Sequence, residues 1–274
     1  DESEPPVSVP GEVYALGRHR LLCGDATDAD AVAKLLAGRA IDLMFTDPPY
    51  GVSYADKNAF LNAADKGNRI QDAIENDHMS LDDTARLWSA AFKAWAPHFG
   101  DHSAYYVCTA SSNGLLPLML DTMREAGMPY RHQLIWAKNV HVLGRSDYCY
   151  KHEPILYGWA KRHKFYGGGE QKFSVWEYPK PTANKLHPTM KPVALIENAI
   201  LNSTDTGMLV ADPFLGSGST LIAAERTGRV CVGTELEPRY CDVIRKRYAD
   251  HVMGENADWQ EATPVADLKE LSND

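Results

Sequence analysis

Cysteine is scarce in this chain and does not cluster. Cys23, Cys108, Cys149, Cys231 and Cys241 are odd in number, far apart, and include no C-x-x-C. That argues against a disulfide framework or a zinc cluster and points to a reducing, cytoplasmic setting. Long apolar runs are missing too. No stretch reaches the roughly 20 residues of a membrane helix, and no secretory leader is visible, so no membrane role is expected. Metal-ligand spacing is equally poor. His98 and His102 stand at helical spacing, but Pro97 and Gly100 deny them a helix, so no metal is expected. Residue 1 is Asp, not Met, which suggests a trimmed piece of a longer polypeptide.

What is present is enough for a sizeable core: 274 residues, 44 % of them apolar, suit one large α/β domain or two small ones. The net charge of −9 argues against a polyanion partner until it is divided along the chain. Between Met128 and Pro192 stand eleven Lys and Arg against four acids, so this window is strongly cationic and the remainder strongly acidic. Such asymmetry suggests one face for a polyanion, although a charge run is also what a solvated face looks like.

The chain is organised around Ala40–Tyr54, AIDLMFTDPPYGVSY. Ile41–Phe45 reads as a buried parallel strand that stops at Asp47-Pro48-Pro49-Tyr50. Each proline fixes its own φ and pushes its predecessor away from helix, so the tetrapeptide is a stiff loop at the carboxyl end of a strand. Open α/β sheets place their ligands there. The loop offers a carboxylate, carbonyls at prolines and an aromatic face, which together suit an amino group on a flat ring. The plainer alternative is a strand followed by a Pro-rich turn.

Around this centre the chain alternates. Residues 1–15 are acidic, Pro-rich and expected to be a flexible lead-in. Strands are predicted at 20–25, 41–45, 103–108, 133–137, 154–159, 208–211 and 230–234, with 133–137 and 154–159 antiparallel at the sheet edge. Helices are predicted at 28–36, 80–95, 114–126, 193–201, 221–226 and 238–248, with Ser80 and Asp83 forming a capping pair. Residues 51–79 show no period and are expected to be a mobile cover. Residues 161–186 interleave cations with Phe165, Tyr166, Phe173, Trp176 and Tyr178, as nucleic-acid-binding surfaces do; an aromatic-anchored surface loop reads the same way. The tail, 254–274, is acidic and weakly patterned.

A second motif sharpens the first. The strand ending at Ala211 runs into Asp212-Pro213-Phe214-Leu215-Gly216-Ser217-Gly218-Ser219-Thr220, and Glu235 ends the next strand. Strand, Gly-x-Gly loop, helix and an acid about 20 residues on make a unit for a nucleotide-like ligand. The third glycine of the dinucleotide fingerprint is absent, as is the Gly-Lys-Ser/Thr of a phosphate loop. An aromatic beside the glycines suits an adenosine without phosphates.

Together, DPPY and DPFLGSGST closely resemble the amino-methylating DNA methyltransferases, which use S-adenosylmethionine. Leu22-Cys23-Gly24-Asp25 resembles the family's adenine-holding turn, and His187-Pro188-Thr189-Met190-Lys191-Pro192 its segment beside the methionine end. Gly233-Thr234-Glu235 resembles the strand end with the ribose-binding acid. The catalytic tetrapeptide precedes the cofactor loop, the permuted order of the β class. The resemblance implies an α/β fold: a Rossmann-like seven-stranded sheet, mostly parallel with an antiparallel edge, helices on both faces. It implies one domain over 16–253, with 161–186 as a short target-recognition insertion. It places Asp25, Ala26, Asp47, His187, Thr189, Lys191, Asp212, Phe214, Gly216, Ser217, Gly218, Ser219, Thr220, Glu235 and Leu236 at the cofactor. Asp47, Pro48, Pro49 and Tyr50 become catalytic. Lys161, Arg162, Lys164, Lys172, Lys180 and Lys185 are expected to meet double-stranded DNA.

The expected reaction moves a methyl group to the exocyclic N6 of adenine, because Asp at the head of the tetrapeptide goes mostly with adenine and Ser with cytosine. Cytosine N4 is the alternative. An RNA or protein target and a catalytically inactive nucleic-acid-binding module are rival readings. A homodimer is common in the β class. The run Gly17–Leu21 resembles stand-alone phage and prophage methylases.

Overall fold

Short apolar segments, each bounded by Gly, Pro or Asp, assemble into a single sheet. In the computed structural model of the chain, the described residues are 5–50, 79–111, 114–140, 147–169, 171–181, 190–255 and 257–267. The strands are β1 (Val13–Leu16), β2 (His19–Cys23), β3 (Ile41–Thr46), β4 (Phe99–Cys108), β5 (His132–Ala137), β6 (His152–Trp159), β7 (Val175–Glu177), β8 (Leu209–Asp212) and β9 (Val230–Glu235). They lie in the order β1-β2-β9-β8-β3-β4-β6-β5-β7. The five from β2 to β4 are mutually parallel. β6 is inserted antiparallel between β4 and β5.

The helices cover both faces. α1 (Ala29–Leu36), α2 (Leu81–Trp95) and α3 (Leu115–Glu125) pack with Met44, Tyr105 and Val107. α4 (Val193–Ser203), α5 (Ser219–Arg226) and α6 (Pro238–Met253) pack with Leu43, Phe45 and Tyr106. The period of two along β3 and β4 sends successive side chains to opposite layers, which is why Leu43–Phe45 and Ala104–Cys108 are apolar on both faces. The expected caps form: Ser80 Oγ accepts from Asp83 N at 3.1 Å, and Asp28 Oδ1 accepts from Asp30 N and Ala31 N at 3.0 Å each.

The sheet has nine strands rather than seven. The additions are β1, a hairpin partner of β2 across Gly17, and the three-residue β7 at the far edge. Edge strands this short carry too few residues for a readable alternation. β1 also corrects the flexible lead-in. Ser8 is 3 % exposed, and its N–H and hydroxyl donate to Asp242 Oδ1 at 2.9 and 2.6 Å. The tail folds back too, through the short α7 (Trp259–Ala262) and a bridge from Val265 to Tyr14. Arg245 on α6 fastens both ends. Its guanidinium donates to Ser8 Oγ (3.0 Å) and to Thr263 Oγ1 and O (2.9 Å each), and lies 3.9 Å from the Tyr14 ring centre. A buried cation needs several acceptors, and both terminal segments supply them. The folded unit therefore extends past the expected limits of 16 and 253.

One consequence of the order matters most. The chain leaves β3 towards β4 on one side and leaves β8 towards β9 on the other. A crevice opens at the carboxyl ends of two such strands. Asp47 and Asp212 stand there.

Candidate active site

The carboxyl rim carries four acids on four consecutive strand ends: Asp25 after β2, Glu235 on β9, Asp212 on β8 and Asp47 after β3. Glu235 Oε2 accepts from Gly216 N at 2.9 Å and Oε1 from Glu237 N at 3.0 Å. Burial pushes its carboxyl up to about 7, against the pull of those two N–H groups. Asp212 Oδ1 accepts from Phe214 N at 3.0 Å, and Oδ2 from the Thr220 hydroxyl at 2.6 Å. Burial again dominates and lifts Asp212 to about 7, with the nearby Asp47 charge adding to the rise. The turn at Asp25 is tied to this rim by Gly24 N, which donates to Glu235 O at 2.9 Å. Asp25 itself is exposed and accepts from Thr27 N at 2.8 Å.

The glycine loop is shaped by close approach. Gly218 has φ +80°, and a Cβ there meets Ile244 Cγ2 at 3.1 Å. At Gly233 a Cβ would lie 2.5 Å from the Asp212 carbonyl oxygen, so β8 and β9 converge only because that position has no side chain. Arg247, which the motifs do not mark, braces the loop from α6, donating to Ser217 O at 2.8 Å and lying 3.2 Å from Ser219 Oγ. Leu236 is exposed beside Glu235, and Ala26 is buried with its carbonyl accepting from Trp95 Nε1 at 3.1 Å. A paired-oxygen carboxylate beside a bare-backbone glycine loop, with no phosphate-binding lysine in the loop, fits a nucleoside diol and so fits the cofactor that the resemblance implies.

The DPPY loop is pinned from below. Trp88 on α2 donates its Nε1 hydrogen to the Pro49 carbonyl at 2.9 Å, and its ring meets the edge of Tyr50 at 6.5 Å between centres. Pro48 and Tyr50 are buried. The Tyr50 hydroxyl donates to Asp47 Oδ1, and the Lys191 ammonium to Asp47 Oδ2. Burial and the Asp47 and Glu153 charges push the Tyr50 phenol well above its usual range, so it stays a donor. The Asp47 side chain keeps 22 % of its surface exposed, which leaves a side open to a ligand.

Lys191 belongs to a larger array. Its ammonium lies 3.2 Å from Glu153 Oε2, and Lys138 donates to Glu153 Oε1. Burial disfavours the Lys191 charge, but Asp47 and Glu153 outweigh it and hold its pKa well above the usual value. Glu153 is also penalised by burial, yet Lys191 and Lys138 bring it down to about 2. Trp136 lies beside both cations, 4.8 Å from Lys138 Nζ and 5.9 Å from Lys191 Nζ at the ring centre. Sequence reasoning missed Glu153 and Lys138. It assigned Lys191 to the cofactor, whereas its ammonium sits on the DPPY acid.

The expected DNA-binding cations do not share one place. Lys161 and Arg162 pair with Asp101 at 3.0 and 2.7 Å. Asp101 lies near the start of β4, six residues before Val107, which pairs with Thr46. At about 3.3 Å per residue that is roughly 20 Å from Asp47, on the amino-terminal rim. Lys164, 4.5 Å from the Tyr166 ring centre, belongs to the same side. Lys180 is on the carboxyl rim, its N–H donating to Asn139 Oδ1 at 2.9 Å, and Lys172 precedes β7. Lys185, His187, Thr189 and the expected cover over 51–79, save for Met79, lie outside the described residues. A groove of about 780 Å³ adjoins the array, lined by Ile135, Lys138, Asn139, Lys151, His152 and Tyr178 among others.

Comparison with known proteins agrees with this geometry. Residues 41–246 match the model of the N6/N4 DNA methylase family. A putative methylase, YubD of Escherichia coli (strain K12), is 30 % identical over 224 residues, 81 % of this chain and 88 % of that protein. The type II methyltransferase M.HinfI of Haemophilus influenzae is 28 % identical over 243 residues, 80 % of this chain but 66 % of the relative, just under two thirds of its length. The crystal structure of an M1.HpyAVI–SAM complex superposes with a TM-score of 0.57 at 22 % identity, over 81 % of this chain and 97 % of the other, a likeness of fold. The family match spans both motifs and the strands that carry them, and on it the chain belongs to the DNA methylase family.

Proposed function

We propose that this protein moves a methyl group from S-adenosylmethionine to the exocyclic N6 of adenine in double-stranded DNA. The observation that carries the reading is the rim itself: Asp47, clamped by Tyr50 and Lys191, stands beside Asp212 at the switch point, with Glu235 one strand further on.

The amino nitrogen of adenine is a poor nucleophile because its lone pair is delocalised into the ring. Each Asp47 oxygen has a further lone pair beyond the bond it already accepts. Asp47 therefore takes one amino hydrogen and the Pro48 carbonyl the other, which favours a tetrahedral nitrogen whose lone pair points away from both acceptors. Such preorganised acceptors act on charge as it develops, and alignment of the two reactants supplies much of the remainder. The bound donor supplies an electrophilic methyl on a sulfonium. Glu235 would hold the ribose hydroxyls, and the backbone from Gly216 to Thr220 would receive the nucleoside. No protein nucleophile takes part.

The target leaves the stack to reach Asp47, and the Tyr50 ring replaces lost stacking worth roughly 1–3 kcal/mol. The strand beside the flipped base follows the groove at the carboxyl rim, where Lys151 and Lys180 meet phosphates. Lys161, Arg162 and Lys164, on the other rim, meet DNA only if it passes that far. One domain carries the reaction, with 161–186 as its target-recognition insertion. A cytoplasmic homodimer is the working assembly, checked by light scattering. M.HinfI, as a type II methyltransferase, suggests a place in restriction-modification.

Nucleosides from DNA treated with the protein and S-adenosylmethionine, separated by mass spectrometry, test the reading. N6-methyladenine is the expected product. N4-methylcytosine would move the target to the alternative base, and no methylated nucleoside from any DNA would overturn the activity.

A further inference from the structure

We infer that Glu153 is a positioning residue for methyl transfer, fixing the Lys191 ammonium against Oδ2 of Asp47 so that the lone pair of Oδ1 left over by Tyr50 faces the target amine. The inference rests on the role just proposed for Asp47.

The argument begins with strand direction. β6 runs antiparallel to its neighbours, so its first residues, not its last, reach the carboxyl rim. Glu153 is the second residue of β6, opposite Trp136 near the end of β5. Lys138 follows β5 directly, and Lys191 stands just before α4. Four segments thus deliver Asp47, Lys191, Glu153 and Lys138 as a row of alternating charges ending at the DPPY acid.

A lysine on its own is a poor clamp, because a four-carbon stem ends in a freely rotating ammonium. Here the stem has no freedom. Lys191 is 8 % exposed, is shared between two carboxylates and lies beside the Trp136 ring. Lys138, 4 % exposed, balances the second carboxylate. The row is neutral as a whole, the condition under which buried charges are tolerated. If the network served only to hold strands together, Asp47 would have no need to be its last member. Lys191 holds one oxygen and the Tyr50 hydroxyl bonds the other, yet Asp47 stays partly exposed, so the carboxylate remains accessible.

Single-turnover transfer of labelled methyl to unmethylated bacterial genomic DNA tests the inference, read beside S-adenosylhomocysteine affinity and melting temperature. Glu153→Gln should slow transfer by about 10²-fold, the scale of a misplacement near 1 Å, with cofactor affinity within about twofold. A variant that misfolds says nothing about position, so the pair Glu153→Met with Lys138→Met is measured too. Removing both ends of a buried pair is often near neutral for stability, and the same slowing is expected at an unchanged melting temperature. Lys191→Met combined with Glu153→Gln should transfer no more slowly than Lys191→Met alone. Wild-type transfer by both Glu153 variants, or additive losses in the combination, would overturn the inference. An inactive Asp47→Ala beside fully active Glu153 variants would leave the proposed reaction standing without this residue. An active Asp47→Ala would sink the reaction itself.

Discussion

The two halves of the carboxyl rim are built by different means. At β9 and β8, the carboxylates of Glu235 and Asp212 are held by N–H and hydroxyl groups close at hand: Gly216, Glu237, Phe214 and Thr220. Among the described residues no formal cation pairs with either, and burial lifts both acids to about 7. At β3 the carboxylate of Asp47 is held by side chains, the Tyr50 hydroxyl three residues on and the Lys191 cation from far along the chain. A site that binds a neutral diol needs acceptors in a fixed backbone frame. A site that must meet charge as it develops needs its field set in advance, and formal charges set it more strongly than dipoles do. On the proposed function, one half governs affinity and the other rate.

Substitutions divide accordingly, and the largest effect is expected at Asp47. Asp47→Ala should lower methyl transfer by at least about 10³-fold, the upper scale for losing one preorganised group. Calorimetry should find S-adenosylhomocysteine binding within about twofold of wild type. A matching loss of cofactor affinity would break the division between the halves. Lys191→Met comes next, at about 10²-fold in single-turnover rate. It removes the clamp and leaves Glu153 paired with Lys138, so the folded state should survive and circular dichroism should show an unchanged spectrum.

On the other half, Glu235→Ala should weaken S-adenosylhomocysteine about 10- to 100-fold. That corresponds to a loss of about 1.4–2.8 kcal/mol, the net scale of one hydrogen bond to a charged acceptor. Transfer at saturating donor should fall by less than about threefold. A fall in saturated rate larger than the loss in affinity would mean that Glu235 acts on the chemistry and that the halves are not separate.

The same contrast explains what could be read before the structure. The cofactor half is local: Asp212 to Thr220 is one continuous segment, and Glu235 follows at the end of the next strand. Apart from the Arg247 brace, each bond described there joins residues close in sequence or at neighbouring strand ends, so the motif carries most of the geometry with it. The target half depends on residues 47, 138, 153 and 191, and only the first and last lie in recognisable motifs. An antiparallel pair was expected at the edge, but Glu153 stayed illegible because its place depends on β6 being the reversed member, inserted beside β4, a fact of strand order rather than of pattern. The place of the cations at 161, 162 and 164 was unreadable for the same reason. They follow the far end of that reversed strand and emerge on the rim away from Asp47. Both edge strands escaped notice because three or four residues cannot show a period. A paired Lys191 was visible as a motif residue, but its partner was not.

The smallest expected effect sharpens the comparison most, because it concerns a proton rather than a side chain. The free Glu235 carboxyl titrates at about 7, raised from an ordinary 4.5 by burial. A raised acid favours folding most below its unfolded value, and that contribution is lost as pH climbs from about 4.5 to 7. The ionised form that folding disfavours is the one that accepts two ribose hydroxyls. Binding should therefore release a proton below pH 7, and the dissociation constant of S-adenosylhomocysteine should worsen by up to tenfold per unit as pH falls beneath it. Above about pH 8 the constant should be flat. Glu235→Gln cannot ionise, so its weaker binding should lose this slope between pH 5.5 and 8. A slope that persists in the Gln variant would belong to Asp212, the second acid at about 7. That outcome would make Asp212, and not Glu235, the acid that senses the ligand.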